Sequence, residues 1–192
     1  MGKDTSQPVF LTYVARSGST LLSKLLDSLD GVGVSLEADF PDGICYRKEN
    51  ARTAGELSEL LDSLYANEKF RGWNIDRKVM EEALSVYPFP VGFPSILQAA
   101  LQCYFRNENT TTYVYKSGYA RYLDRLRKQF PEAKVINIVR DPRAVFNSQK
   151  TSAASSTGKP LNRNPVFFAL TYQWIDDGVF KCWEEPGFHG LY

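Results

Sequence analysis

The residues best suited to chemistry begin in the turn Ala15-Arg16-Ser17-Gly18-Ser19-Thr20, between an apolar run and a leucine-patterned segment. Small residues let such a turn aim unpaired backbone N–H groups, and the positive end of a following helix, at one point. That makes an anion site which a phosphate fits. Arg16 adds charge, and Ser17, Ser19 and Thr20 add hydroxyl donors. A GxxxxGK[ST] loop would place a lysine before its final hydroxyl residue to reach the outer phosphates. This turn has none, so it points away from an ordinary Mg-nucleoside triphosphate. Gly31 and Gly33 are no dinucleotide fingerprint either, because no third glycine follows at the required place. Three further groups recur at equivalent places: Glu37, Lys116 and Arg140 each follow an apolar run. Ligands of open parallel sheets bind beyond the carboxyl ends of the strands, so four groups in register predict one shared crevice.

The elements that must position these groups follow from the apolar pattern. Val9 to Val14 reads as strand 1, and Ser19 to Leu29 as an amphipathic helix with leucines at 21, 22, 25, 26 and 29. Gly31-Val32-Gly33 reads as a turn and Val34-Ser35-Leu36 as strand 2, ending at Glu37. Three helical patterns come next, marked by Leu57 to Leu64, Val79 to Tyr87 and Ile96 to Phe105, with an irregular Tyr87 to Pro94 between the last two. Thr112 to Tyr115 is strand 3, followed by Lys116-Ser117-Gly118. A helix carries Tyr119, Tyr122, Leu123, Leu126 and Phe130 on one side, with Arg121, Asp124, Arg125 and Lys128 as a solvated face on the other. Lys134 to Val139 is nearly continuous in apolar residues, as a parallel strand buried on both faces requires. Arg140-Asp141-Pro142-Arg143 opens another helix, with proline suited to its first turn. Ser152 to Asn164 is a polar loop, and Val166 to Ile175 marks a last helix. The alternation predicts an α/β domain: three layers, with a mostly parallel central sheet of about four to five strands between helices.

The totals narrow the class. The 192 residues suit a single domain, and the net charge of +1 gives no bulk attraction to nucleic acid or membrane. Cys45, Cys103 and Cys182 lack metal-ligand or disulfide spacing, so buried free thiols in a reducing, cytoplasmic setting are expected. No apolar run is long enough to span a membrane. Asn109-Thr110-Thr111 matches a glycosylation acceptor and reads as a loop.

Two of these motifs together carry a family resemblance. Arg16 to Leu22 resembles the 5′-phosphosulfate loop of sulfotransferases. Val139-Arg140-Asp141-Pro142-Arg143-Ala144-Val145-Phe146-Asn147-Ser148 resembles their 3′-phosphate motif, an arginine and a serine eight positions apart on a strand-to-helix junction. Tyr115-Lys116-Ser117-Gly118 and Leu126 to Lys134 are similar to the segment before that motif in bacterial and tyrosylprotein-type members. The resemblance implies a P-loop-like fold and 3′-phosphoadenosine 5′-phosphosulfate as donor, with adenosine 3′,5′-bisphosphate as product and no metal. It implies donor binding by Arg16, Ser17, Gly18, Ser19, Thr20 and Leu21 at one end, and by Arg140 and Ser148 at the other. Lys116, assisted by Arg16, is the implied partner of the bridging oxygen.

Cytosolic small-molecule members carry a histidine two places after the strand-3 lysine, where this chain has Gly118. The single histidine, His189, lies far away near the end and reads as incidental. Tyrosylprotein-type members use a glutamate after strand 2, which implies Glu37 as general base, with Asp39 and Asp42 as nearby substitutes. Burial is expected to raise the Glu37 pKa from about 4.3 towards neutrality. The implied acceptor is a hydroxyl or amine of a small molecule, glycan or peptide, without nucleic acid or stable membrane association. The aromatic stretch Tyr87 to Phe93 and the Ser152 to Asn164 loop are candidate walls of its pocket, although aromatic clusters more often form core. Gly118 also stands where many relatives place proline. The expectation is one sulfotransferase-like domain over 1–192, and its apolar end Gly190-Leu191-Tyr192 reads either as a naturally short member or as a C-terminally shortened fragment. The alternatives are a non-catalytic nucleotide-binding relative and a P-loop-like nucleotide kinase; the missing lysine counts against the kinase.

Overall fold

The strands β1 (Val9–Tyr13), β2 (Val32–Val34), β3 (Thr112–Ser117), β4 (Val135–Ile138) and β5 (Gly190–Leu191) form one sheet in the order β2-β3-β1-β4-β5. Every pairing is parallel. The structure is a computed structural model that describes residues 8–38, 40, 50–106, 109–118, 123–152, 158–183 and 190–191. Its helices are α1 (Ser19–Asp27), α2 (Ala54–Ala66), α3 (Glu68–Arg71), α4 (Arg77–Leu84), α5 (Phe93–Tyr104), α6 (Leu123–Gln129), α7 (Pro142–Thr151) and α8 (Pro165–Trp183). This is the α/β architecture that the alternating pattern predicts.

The central place of β1 follows from its composition. Successive side chains of a strand point to opposite faces, so a strand covered on both sides must be apolar throughout. Phe10 and Leu11 are adjacent and both fully buried. Phe10 sits opposite Tyr115 in the β1–β3 register and meets its ring at 5.9 Å and that of Phe130 at 5.1 Å. Around them an aromatic and aliphatic core gathers Phe40, Phe70, Trp73, Met80, Phe93, Ile96, Leu97 and Leu126. Burying each such side chain contributes roughly 1.5–3 kcal/mol. The stretch that ends in Phe93 therefore supplies core on one side, whereas Phe89 is exposed.

Several boundaries differ from the sequence expectation, each for a local reason. β2 begins at Val32, so Gly33 is a strand residue rather than part of the turn. A Cβ on Gly33 would lie 2.6 Å from Phe105 Cε1, so a glycine is needed for close approach. Gly31, at φ 73°, ends the turn that the Val32 amide closes on the Leu29 carbonyl at 3.2 Å. β3 runs on through Lys116 to Ser117, because Leu11 and Thr12 continue the ladder there. The short helix α3 carries no periodic signal and is absent from the sequence reading. Val91 pairs with Ala51 in an isolated antiparallel bridge, and α5 begins at Phe93 with proline in its first turn. α1 ends at Asp27 rather than at Leu29, and Leu21, Leu25 and Leu29 of the expected apolar face are all exposed.

Cys103 is free and half-buried, with its Sγ 3.8 Å from the Val79 carbonyl. Cys45, Asp39, Asp42, Tyr119, Arg121, Tyr122, His189 and Tyr192 lie outside the described residues, as do the side chains of Asp124, Arg125 and Cys182. Among the described residues, no helix is long and apolar enough to cross a membrane.

Candidate anion site

Where β1 ends, the chain must turn sharply to enter α1. Arg16 takes a φ of 76° and Gly18 a φ of 98°, both left-handed, and the Ser17 amide closes the turn on the Val14 carbonyl at 3.1 Å. For a non-glycine residue that conformation costs of order 1–3 kcal/mol, and such strain clusters at ligand clamps. Gly18 caps α1 without a side-chain bond, which leaves the first amides of the helix facing the turn.

The β4–α7 junction is built beside it. Thr12 and Asn137 are partners in the β1–β4 register, and the buried Thr12 hydroxyl donates to Asn137 Oδ1 at 2.8 Å. That bond fixes the exits of β1 and β4 side by side. Asp141 then caps α7, accepting from the Arg143 amide at 2.8 Å. The Arg143 guanidinium on the same carboxylate holds the Asp141 pKa down at about 2. Asp141 is thereby committed to Arg143 and its cap. Gln149 ties α7 back to the turn by donating to the Ala15 carbonyl at 3.0 Å.

The two junctions meet. Arg140 Nη1 donates to the Arg16 carbonyl at 2.9 Å, and Arg16 Nε donates to Ser148 Oγ at 3.0 Å. Arg16, Gly18, Ser19, Thr20, Arg140 and Ser148 line one cavity of about 220 Å³. Among the described residues neither Arg16 nor Arg140 pairs with a carboxylate. Ser17 Oγ is buried and has no hydrogen-bond partner among the described residues. Buried polar groups are rarely left so, and such a hydroxyl beside two guanidinium groups whose charge no carboxylate cancels fits an oxyanion. Neither Ser17, buried behind the turn, nor Leu21, exposed on α1, is among the residues that line this cavity.

Glu37 and Lys116 form a second cluster around Tyr13, the last residue of β1. The Tyr13 hydroxyl donates to Glu37 Oε2 at 2.6 Å, Lys69 Nζ donates to Glu37 Oε1 at 2.6 Å, and Lys116 Nζ lies 5.6 Å from the centre of the Tyr13 ring. The segment bearing Glu37 is pinned on both sides. Trp73 Nε1 donates to the Leu36 carbonyl at 3.1 Å and the Tyr115 hydroxyl to the Ala38 carbonyl at 2.5 Å. The Lys116 amide donates to Ser35 Oγ at 3.2 Å.

The expected rise in the Glu37 pKa is corrected here. Burial does push the carboxyl up, but the bonds from Lys69 and Tyr13, with the charges of Lys69 and Lys116, outweigh it. The net direction is down, so the group is ionised at neutral pH. Sequence reasoning missed Lys69, whose helix is one turn long and lies 32 residues from its partner. Tyr13 was legible only as a strand residue.

The sequence matches the family model described as "Sulfotransferase family" over residues 8–177. Among solved structures, sulfotransferase STF9 from Mycobacterium avium is similar at 14% identity and a TM-score of 0.51, over 97% of this chain and 59% of that one. Sulfotransferase STF1 from Mycobacterium tuberculosis H37Rv shares 12% identity at a TM-score of 0.48, over 97% of this chain and 62% of that one. The chain thus spans about 60% of the length of these two structures. At such identity the STF9 likeness concerns the fold. No curated protein matches the sequence.

Proposed function

The chain belongs to the sulfotransferase family, and from that premise we propose that it transfers a sulfuryl group from 3′-phosphoadenosine 5′-phosphosulfate to a hydroxyl or amine. The observation that carries this reading is the closure of Arg16, Gly18, Ser19, Thr20, Arg140 and Ser148, from opposite ends of the sequence, around one cavity. On this reading residues 1–192 act as one domain. The 5′ end of the donor belongs to the turn, where Ser17 offers its hydroxyl beside the amides that open α1. The 3′-phosphate belongs to Arg140 and Ser148.

Charge-assisted hydrogen bonds of this kind contribute about 1.5–3 kcal/mol each. A nucleotide without the 3′-phosphate leaves those donors unmatched, which is a basis for selectivity. When bound, the donor supplies the sulfuryl group: the acceptor oxygen or nitrogen bonds to sulfur as the bond from sulfur to the 5′-phosphate oxygen breaks. Lys116 and Arg16 supply positive charge against the charge that develops on the departing oxygen. Glu37, ionised and held in place, takes the acceptor proton.

The test is calorimetric titration with adenosine 3′,5′-bisphosphate, ADP and Mg-ATP, followed by transfer of labelled sulfate to a phenol, an alcohol, an amine and a glycan. Tighter binding of the bisphosphate and label in an acceptor are the expected results. Preference for Mg-ATP would turn the reading to a kinase. Bisphosphate binding without transfer to any acceptor would turn it to a non-catalytic nucleotide-binding protein.

A further inference from the structure

Glu37 sits between two donors that arrive from different elements, one of which the sulfotransferase reading leaves without a role. Lys69 Nζ and the Tyr13 hydroxyl each lie 2.6 Å from a different oxygen of the carboxylate. A carboxylate held at one oxygen still rotates about its last bond, whereas one held at both keeps a single plane. Each oxygen retains a further lone pair for a third donor such as an acceptor hydroxyl.

The frame behind Lys69 is rigid. Its neighbour Phe70 is buried to 1% exposure, packed between Phe40, Tyr65 and Trp73 at ring distances of 5.6, 5.2 and 5.7 Å. Asn67 caps α3 by accepting from the Phe70 amide at 3.1 Å. Trp73, just beyond α3, holds the carbonyl of Leu36, the residue before Glu37. The element that delivers the ammonium and the segment that presents the carboxylate are therefore joined at neighbouring residues. Ordinary surface ion pairs join side chains on elements that move independently, and they contribute little.

We propose that Lys69 is a positioning residue for the transfer reaction: together with Tyr13 it sets the orientation in which the Glu37 carboxylate meets the acceptor. This rests on the reading of Glu37 as the base. Among the described residues, the groups facing Glu37 are Lys69 from α3, Tyr13 from β1 and Lys116 from β3. Removing Lys69 takes away a hydrogen bond and a charge together, while Tyr13 and Lys116 remain. Burial then has less to oppose it, and the carboxyl pKa rises.

The experiment compares the full-length chain with Lys69→Met, Lys69→Arg and Glu37→Gln. The Glu37 carboxyl is followed by carbon NMR of glutamate-labelled protein, with its signal assigned from Glu37→Gln. Transfer of labelled sulfate is followed against pH with the best acceptor of the panel. Lys69→Met is expected to raise the Glu37 titration midpoint by about one pH unit and to move the acid limb of kcat up by the same amount. Affinity for adenosine 3′,5′-bisphosphate stays unchanged, and Lys69→Arg restores both values. A midpoint that stays put in Lys69→Met overturns the proposal even if no acceptor is found. A midpoint that moves while the kcat limb does not overturns it as well. Full turnover in Glu37→Gln instead overturns the reading beneath it, which is a separate result.

Discussion

Arg140 donates through Nη1 to the backbone carbonyl of Arg16 at 2.9 Å, across 124 positions of sequence. The bond spends one guanidinium nitrogen on a neutral carbonyl, so the charge of Arg140 is not cancelled. It also fixes the turn that holds Arg16 against the start of α7. One arginine thus shapes the cradle while remaining available to an anion within it.

Arg140→Ala is expected to weaken binding of adenosine 3′,5′-bisphosphate about tenfold to a hundredfold, the equivalent of one charge-assisted hydrogen bond. Arg140 is exposed, so stability should fall by no more than about 1 kcal/mol. Titration calorimetry and thermal unfolding of the same sample check the two halves.

Ser17→Ala separates binding from folding more cleanly. The buried hydroxyl has no partner among the described residues, so its removal breaks no recorded bond. Stability should stay equal or rise by up to about 1 kcal/mol, while affinity for the bisphosphate drops about tenfold. A fall in both would mean that the hydroxyl serves the free protein.

Glu37→Gln is expected to lower turnover about a hundredfold or more, in the range of general-base catalysis, with bisphosphate affinity unchanged. The same variant reads the linkage. The folded pKa of Glu37 lies below its ordinary 4.5, so the stabilisation it brings is fully present above that value. It fades as pH falls through the lower folded value. The stability gap between wild type and Glu37→Gln in urea should be constant at neutral pH and shrink below pH 4.5. Because the Glu37–Lys69 pair is partly solvated, the gap should not exceed about 1 kcal/mol.

Gly33→Ala is expected to destabilise the fold by about 1–3 kcal/mol through overpacking. The added methyl would meet Phe105 Cε1 at 2.6 Å and Thr110 Cγ2 at 2.9 Å. Phe105 has little room to yield, being stacked on Tyr113 at 5.6 Å and set edge-on to Tyr104 at 4.7 Å. Urea unfolding measures the loss.

What was legible in the sequence was where strands give way to helices. Arg16 and Arg140 stand where apolar runs give way to helix starts, and such junctions are local, so neighbouring residues encode them. The β2 boundary was misread because Gly33 looks like a turn residue until Phe105, far along the chain, is seen to occupy its missing side chain. α3 was invisible because one helical turn has no periodicity. The direction of the Glu37 pKa was misjudged for the same reason: burial is readable from apolar neighbours, whereas the ammonium that outweighs it comes from that unseen helix. The exposure of Leu21, Leu25 and Leu29 was equally out of reach, since periodicity reveals that a face is apolar but not what covers it.

β2 and β3 are neighbours in the sheet, yet α2, α3, α4 and α5 all leave and rejoin it between them. Arg16 and Arg140 hang instead on the seam of β1 with β4, which that excursion does not cross. A shift within α3 therefore reaches Glu37 directly through Lys69, whereas the bond from Arg140 to the Arg16 carbonyl rests on the ends of β1 and β4.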